Sequence, residues 1–395
     1  MSKIQIYQFA LVGLILLSAC APFFRFGAGP QTYAVALGDL DGDGDLDAFL
    51  ANGDWEVPFP NTVWLNDGSG DFSDSGQRIG EEESYKVQLA DVDFDGDLDA
   101  IVANTLGVSV YTNKGTGTFG GRRGFFSKDR ASYVDAIAVG DLNGDGYVDV
   151  FGGGCCGEVE VWDDNRSLAH PPVDILWLSD GKGWLADSGQ TFDLYGTTAI
   201  ALGDLDGDGD LDAFFGNSSS NMDQTENFIR YQPDTIWFND GHGIFQLGGQ
   251  QLGTAEASAV ALGDLDKDGD LDAFVGNQKQ DEIWINLGGS QGGKPGTFRL
   301  SGTVGDDVGT RSMELADLDG DGDLDALVVY KDDALIWLND GAARFTVGQQ
   351  FTFKAQHALA LGDLNGDGRV DVFAGSVDHG ILIWFNDGSG KFIMQ

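Results

Sequence analysis

The chain has 395 residues, of which 64 are Asp or Glu and only 22 are Lys or Arg, so its formal net charge is -42. Nucleic acid and anionic membrane surfaces are excluded as preferred partners, because both require a basic patch that this composition does not supply. The charge does not indicate disorder, since 42% of the residues are hydrophobic and the 9 Trp and 26 Phe need a core.

The first residues have the pattern of a processing signal. Lys3 provides a short positive segment, Ile4 to Leu17 is mainly apolar, and Leu17-Ser18-Ala19-Cys20 follows. A transmembrane anchor is the alternative, but this apolar run is shorter than the ~20 residues that a spanning helix needs. The segment ending in Cys20 resembles the lipobox of bacterial lipoproteins. That resemblance implies a signal peptide over residues 1–19, lipidation of Cys20, and a short membrane tether over residues 20–30.

An acidic nine-residue segment, D-x-D/N-x-D-G-x-x-D, recurs seven times with an average spacing of about 54 residues. We call these segments loops 1 to 7 and number their positions 1 to 9. They begin at Asp39, Asp91, Asp141, Asp204, Asp264, Asp317 and Asp363. Internal repeats of this length are typical of propellers and solenoids. The repeat accounts for essentially all of residues 31–395, which predicts a single domain.

A second motif, an aromatic or apolar run followed by Asn-Asp-Gly and another aromatic, lies between successive acidic loops. Complete copies begin at Trp64, Trp237 and Trp384, and looser copies begin at Tyr111, Trp177, Trp284 and Trp337. Asp-Gly tolerates the positive φ of tight hairpin turns. In the first unit we therefore predict strands over 33–38, 46–51 and 63–66, and a fourth after Phe72. Four short antiparallel strands repeated seven times predict an all-β, seven-bladed β-propeller.

Both motifs, in fixed order, resemble FG-GAP or VCBS repeats. These units build the seven-bladed head of integrin α-subunits and many exported bacterial propellers. The resemblance covers about residues 31–395 and implies the same propeller.

The acidic loops predict Ca²⁺ sites, about one per blade and up to seven. Ca²⁺ takes six to eight oxygen ligands, and positions 1, 3, 5 and 9 are always Asp or Asn. Position 7 is Asp, Tyr or Arg, so we expect it to offer its backbone carbonyl. The predicted ligands are Asp39, Asp41, Asp43, Asp45 and Asp47; Asp91, Asp93, Asp95, Asp97 and Asp99; Asp141, Asn143, Asp145, Tyr147 and Asp149; Asp204, Asp206, Asp208, Asp210 and Asp212; Asp264, Asp266, Asp268, Asp270 and Asp272; Asp317, Asp319, Asp321, Asp323 and Asp325; and Asp363, Asn365, Asp367, Arg369 and Asp371.

Three alternatives to these sites are weaker. An EF-hand requires Glu at position 12, where the first loops have Leu50 and Val102, and its flanks are helical. Mg²⁺ prefers fewer protein ligands. Acidic turns without ions would leave four or five carboxylates repelling one another in each of five loops. Seven calcium ions would reduce the formal charge from -42 to about -28. We expect these ions to be structural.

Loops that join the second strand to the third vary most in length, with insertions over 52–62, 153–174 and 216–235. Because binding residues concentrate on loops carried by a rigid scaffold, we expect a protein or glycan ligand on this face. The candidate contacts are Trp55, Trp162, His170, Phe228, Arg230 and Tyr231. The predicted function is that of a monomeric binding or adhesion module at the cell surface or on the outer-membrane or periplasmic side.

The alternative function is a carbohydrate-active enzyme, a polysaccharide lyase or hydrolase, on the same scaffold. His170, His357 and His379 fall in predicted loops of the ligand face, but the chain has no HExxH, CxxC or phosphate-loop motif. We therefore assign no catalytic residue. The adjacent Cys155 and Cys156 form either a strained vicinal disulfide or two thiols.

Overall fold

The computed structural model describes most of the repeat region, with short gaps. The described residues are 31–53, 59–105, 107–125, 134–154, 159–163, 166–170, 174–192, 196–218, 232–253, 256–306, 309–330, 333–351, 355–376 and 380–395. The predicted signal peptide, Cys20, the tether and the Cys155–Cys156 pair lie outside them.

The described residues form thirty strands and one short 3-10 helix, Gly289–Gln291. The strands are β1 (Gln31–Gly38), β2 (Asp47–Gly53), β3 (Thr62–Asn66), β4 (Phe72–Asp74), β5 (Ser84–Ala90), β6 (Asp99–Asn104), β7 (Gly107–Thr112), β8 (Gly120–Phe125), β9 (Ala136–Gly140), β10 (Asp149–Gly153), β11 (Val159–Asp163), β12 (Arg166–His170), β13 (Ile175–Ser179), β14 (Leu185–Asp187), β15 (Thr197–Gly203), β16 (Asp212–Asn217), β17 (Asp234–Phe238), β18 (Gln246–Leu252), β19 (Ala257–Gly263), β20 (Asp272–Asn277), β21 (Asp281–Asn286), β22 (Phe298–Val304), β23 (Ser312–Ala316), β24 (Asp325–Val329), β25 (Ala334–Asn339), β26 (Phe345–Phe351), β27 (Ala355–Gly362), β28 (Asp371–Ser376), β29 (Gly380–Asn386) and β30 (Phe392–Met394).

Seven four-stranded antiparallel sheets confirm the predicted seven-bladed propeller. Six blades take four consecutive strands. Blade 3 consists of β9, β10, β13 and β14, while β11 and β12 pair in a separate hairpin inserted between its second and third strands. The predicted strands of the first unit are confirmed to within a few residues. The inserted hairpin was not predicted, and it places His170 at the end of β12 rather than in a loop. His357 likewise lies in β27.

The first strand of every blade faces the centre of the ring. First strands of neighbouring blades contact each other around the whole circle, and β27 of blade 7 contacts β1 of blade 1. All four strands of blade 7 come from the end of the chain. Blades 7 and 1 therefore meet through side chains and not through a shared sheet.

The hydrophobic core is divided among the seven blade-to-blade interfaces, with one buried cluster at each. Second strands such as β2, β6 and β16 are buried at every residue, because both of their faces are covered by adjacent blades. Fourth strands such as β18 are largely exposed at the rim. The radial arrangement leaves each blade with only two short free edges, one at the central axis and one at the rim.

Within the described residues, no helix has the length and apolar character needed to cross a membrane.

Candidate metal centres

Each acidic loop joins the first strand of its blade to the second and doubles back tightly. Position 6 is Gly in all seven loops and has a φ between 83° and 98°, a left-handed conformation that disfavours residues with a Cβ. At this bend the backbone N–H of position 6 donates to the carboxylate of position 1 in every loop, at 2.8–3.1 Å. The N–H of position 7 donates to the carboxylate of position 5, at 2.9–3.1 Å. The backbone therefore fixes two carboxylates of each loop.

Five loops bring three carboxylates together, with one oxygen from each within 4.8 Å of the other two. Loop 1 combines positions 1, 3 and 5, whereas loops 2, 4, 5 and 6 combine positions 1, 3 and 9. The triads are Asp39, Asp41 and Asp43; Asp91, Asp93 and Asp99; Asp204, Asp206 and Asp212; Asp264, Asp266 and Asp272; and Asp317, Asp319 and Asp325. Loops 3 and 7 have Asn143 and Asn365 at position 3, where an amide oxygen takes the place of the carboxylate.

The carboxylate at position 3 has the surroundings of a cation ligand. One oxygen of Asp93, Asp206 and Asp266 is buried without a hydrogen-bond partner, which is costly for a polar group unless an ion satisfies it. Burial, followed by repulsion from Asp95 and Asp91, raises the pKa of Asp93. A bound dication would reverse both effects. All donors in the triads are hard oxygens, the ligand type that Ca²⁺ and Mg²⁺ take.

A family model described as "FG-GAP-like repeat" matches residues 39–102, 91–152, 264–328 and 317–373, which together make up more than half of the chain. The chain belongs to the FG-GAP-like repeat family. Each matched segment runs from one acidic loop to the second strand of the next blade, so the family match and the blade pattern coincide.

Two solved structures show the same fold. An Agrocybe aegerita lectin, whose structure addresses recognition of non-reducing terminal N-acetylglucosamine, is 19% identical with a TM-score of 0.51; the match covers 88% of this chain and 86% of the lectin chain. BBS1N in complex with ARL6DN is 12% identical with a TM-score of 0.56, covering 90% of this chain and 95% of that chain. No curated protein sequence matches the chain.

Position 9 of each FG-GAP loop ties the loop to the Asn-Asp-Gly turn of the same blade. One carboxylate oxygen accepts the N–H of position 2, at 2.9–3.1 Å. The other accepts the N–H of the first turn residue, at 2.7–2.9 Å. All seven side chains are fully buried. Sequence reasoning assigned position 9 only to the ion, whereas the structure gives it this second role in every blade.

Burial raises the pKa of these position-9 carboxyls. The pKa is about 6 for Asp47, Asp99, Asp149, Asp212 and Asp325, about 7 for Asp272, and raised for Asp371. The paired backbone N–H groups oppose this rise but do not cancel it. A cation beside the group would stabilise its ionised form, which the N–H donors also favour.

The Asn that begins each turn connects neighbouring FG-GAP units. Its side-chain amide donates to the backbone carbonyl at loop position 2 of the preceding blade, at 2.7–2.9 Å, in six of the seven blades. In blade 3 Ser179 stands at this position. The N–H of Gly183 still donates to Val92 O, at 3.2 Å, a backbone bond that Gly117 and Ala343 also make in blades 2 and 6. The bond from Asn66 to Leu364 O joins blade 1 to blade 7 and so helps to close the ring.

Position 7 contributes a side chain that covers the turn. Asp45, Asp97 and Asp210 lie against Gly68, Gly115 and Gly241 of their own turns, leaving no space for a Cβ there. No position-7 side chain belongs to a triad among the described residues. The assignment of position 7 to a backbone carbonyl ligand stays a prediction.

A second buried carboxyl site, not predicted from the sequence, lies where the third strand begins. Asp174, Asp234 and Asp281 each accept the N–H of the residue that ends or follows the second strand, at 3.2, 2.8 and 2.9 Å. In blade 1 the neutral side chain of Asn61 accepts the N–H of Asn52, one residue before the end of β2, at 2.9 Å. Burial raises the pKa of Asp174 to about 7. The recurrence of Asp or Asn at this point of the repeat was the signal that could have identified it.

The predicted ligand face is described only in part. Trp55, Phe228, Arg230 and Tyr231 lie outside the described residues. Trp162 and His170 lie on β11 and β12, where the backbone alone is described.

Proposed function

We propose that this protein is an exported lipoprotein whose calcium-stabilised propeller binds a protein or glycan partner through the loops that join second to third strands. The observation that carries the binding role is the hairpin of β11 and β12. It is built onto this connection in blade 3, whereas blade 2 passes from Asn104 to Gly107 through two residues. An elaborated loop on an otherwise regular scaffold is a frequent location for recognition.

We assign the ions of the FG-GAP loops to Ca²⁺ and to a structural role. The triads offer only oxygen donors. The remaining donors, at positions 7 and 9 in loop 1 and at positions 5 and 7 in loops 2, 4, 5 and 6, can raise the coordination toward the six to eight that Ca²⁺ takes. An ion there neutralises carboxylates on the segment that links first and second strands. Because the carboxylate at position 9 also accepts an N–H of the turn, the ion would stabilise the turn of the same blade as well.

The fold neighbours support recognition as the general role. One is a lectin studied for its recognition of N-acetylglucosamine, and the other is a propeller solved with a protein partner. At 19% and 12% identity these likenesses concern the fold. We therefore propose either a glycan or a protein as the ligand of this chain, and the binding assay includes both classes.

The test replaces residues 155–172 by the dipeptide Thr-Leu, which is the sequence of the connection at Thr105 and Leu106 in blade 2. We expect the variant to keep its melting temperature in calcium and to lose retention on the glycan array or the envelope-protein preparation that retains the parent. In the matched control, the same dipeptide replaces residues 278–280 of blade 5, where the connection between the second and third strands carries no hairpin. Undiminished retention by the hairpin variant would contradict the proposed face. Shortened glycan products without added cofactor would favour the enzyme.

Cys20 supplies the proposed membrane anchor, and it lies outside the described residues. Mass spectrometry of the mature protein should find an acylated Cys20 as its first residue. The Cys20→Ala variant should remain in the soluble fraction after export. A mature protein that retains residues 1–19 would contradict the lipoprotein assignment.

A further inference from the structure

Position 4 of the acidic loops requires a left-handed backbone, and two blades place a large side chain there. Five loops have Gly at this position, with a φ between 73° and 82°. Phe94 in loop 2 and Lys267 in loop 5 have φ values of 61° and 62°. A residue with a Cβ is disfavoured in this conformation. Such an outlier is a reason to look for a functional role.

Both side chains reach position 7 of the next blade. Lys267 forms an ion pair with Asp323 of loop 6. The Phe94 ring meets the edge of Tyr147 of loop 3, with ring centroids 5.4 Å apart. The Lys267–Asp323 and Phe94–Tyr147 contacts occupy equivalent places in the repeat, but they differ in the chemistry of the surface that stays exposed to solvent. Phe94 remains 67% exposed although it is wholly apolar, so the contact with Tyr147 does not account for it.

A third aromatic residue belongs to the same boundary between blades 2 and 3. Trp184 is 58% exposed at the turn position that holds Asp71 in blade 1. The residue before it, Gly183, donates its N–H to Val92 O and lies against Asp93. The turn of blade 3 thus rests on the part of loop 2 that carries Phe94. We call Phe94, Tyr147 and Trp184 the aromatic patch.

The chemistry around the aromatic patch favours a cation. The Arg123 guanidinium already lies 5.4 Å from the centroid of the Trp184 ring, so one ring face of the patch accepts a positive charge from this chain itself. Loop 2 carries five Asp and loop 3 carries three. One Ca²⁺ in each would leave both loops negative, so the field at the patch attracts cations and repels anions.

We propose that the aromatic patch binds a protein segment bearing Arg or Lys side chains. Their cationic groups would stack on the exposed rings of Phe94 and Trp184, and the carboxylates of loops 2 and 3 would surround them. The patch lies on the face of the calcium loops, opposite the loops of the proposed function. Loss of one site should therefore leave the other intact, and the two proposals fail separately.

The test uses the calcium-loaded full propeller and a fluorescein-labelled dodecapeptide of alternating Gly and Arg, with citrulline in place of Arg as the neutral probe. Phe94→Gly installs the residue of five sister loops. It removes the backbone strain and the contact with Tyr147 together, so its melting temperature should stay near that of the parent. We expect this variant to bind the Arg peptide roughly tenfold more weakly, since stacking of a partly desolvated cation contributes about 1–2 kcal/mol.

Lys267→Gly is the matched control, because it makes the same backbone change and removes an equivalent blade contact. It also removes a positive charge, and it should bind the peptide at least as tightly as the parent. Trp184→Asp installs the residue of blade 1 and adds a negative charge, which by itself would strengthen binding of a cationic peptide. Weaker binding by this variant would therefore show that the ring contributes beyond the net negative charge of the surface. The proposal is overturned if Phe94→Gly and Lys267→Gly bind alike, if the citrulline peptide binds as well as the Arg peptide, or if the parent binds neither.

Discussion

Replacing Asn66 by Ala tests whether the turn Asn holds the ring closed. The side-chain amide of Asn66 donates to Leu364 O of blade 7 at 2.9 Å and to Leu46 O of its own blade at 3.2 Å. Its side-chain oxygen accepts the N–H groups of Gly68 and Gly70 at 3.2 and 3.0 Å. The variant removes all four bonds while leaving the backbone of the turn unchanged.

Two of these bonds, to Leu364 O and from Gly70 N, are buried. Each buried partner left unsatisfied costs about 1–1.5 kcal/mol, so the loss should be about 2–3 kcal/mol. The other two bonds are partly exposed, and water can replace them. With an unfolding entropy proportional to chain length, this loss corresponds to a fall of ~3–4 °C in Tm.

Calorimetry in saturating calcium measures the loss, and Asn286→Ala is the control. Asn286 makes the same four kinds of bond, but it joins blades 5 and 4, which are consecutive in the chain. Both variants should lose a similar Tm. Only Asn66→Ala should also speed amide exchange in blade 7, because blades 7 and 1 are not consecutive in the chain and only non-covalent contacts hold them together. A Tm within about 1 °C of the parent would refute the reasoning, because a change that small is expected of ordinary surface substitutions.

Three further predictions follow from the metal and carboxyl sites. Tm should rise with the logarithm of calcium concentration, each site adding about 2.7 kcal/mol at a hundredfold excess over its Kd, and chelation should abolish the rise; an unchanged Tm on chelation would refute the metal sites. Equilibrium dialysis should find one ion fewer in Asp206→Ala and an unchanged number in Asp210→Ala, because position 7 is predicted to bind through its carbonyl. Folded protein holds the Asp174 proton up to about pH 7, whereas the unfolded chain releases it near 3.8, so stability should fall as pH rises between these values. Asp174→Asn, which copies Asn61, should flatten that fall in thermal melts at pH 5 and pH 8, and a variant with the parental pH dependence would contradict the assignment.

The blade number and strand order could be predicted because each depends on local signals. Asp-rich loops and Asp-Gly turns punctuate the chain at regular intervals, and both are fixed by the chemistry of a few adjacent residues. The bonds between blades were harder to predict. Asn66 and Leu364 are 298 residues apart, and no local rule pairs them. Only the recurrence of Asn at the start of six turns indicated that this side chain makes the same contact in each of those blades.

The hairpin of β11 and β12 was missed for a different reason. It interrupts blade 3 and has no counterpart in the described parts of the other six units, so the repeat carried no information about it. The double role of position 9 was missed because a carboxylate in an acidic loop is sufficiently explained by an ion. The structure shows that the same two oxygens also accept backbone N–H groups, which a sequence pattern does not reveal.

Loop 7 indicates that seven similar blades do not require seven equal ions. Its position 7 is Arg369, whose guanidinium donates to Asp367 at 2.6 Å and to Asn386 O of its own turn at 2.9 Å. One carboxylate of that loop is thus paired with a fixed positive charge, and Asn365 replaces another. Loops 4 and 5, by contrast, hold five Asp each and a position-3 oxygen without a partner. Because repulsion grows with the number of uncompensated charges, the benefit of a dication is greatest in those loops. In loop 7 the chain supplies part of that benefit through Arg369, beside the seam where blade 7 meets blade 1.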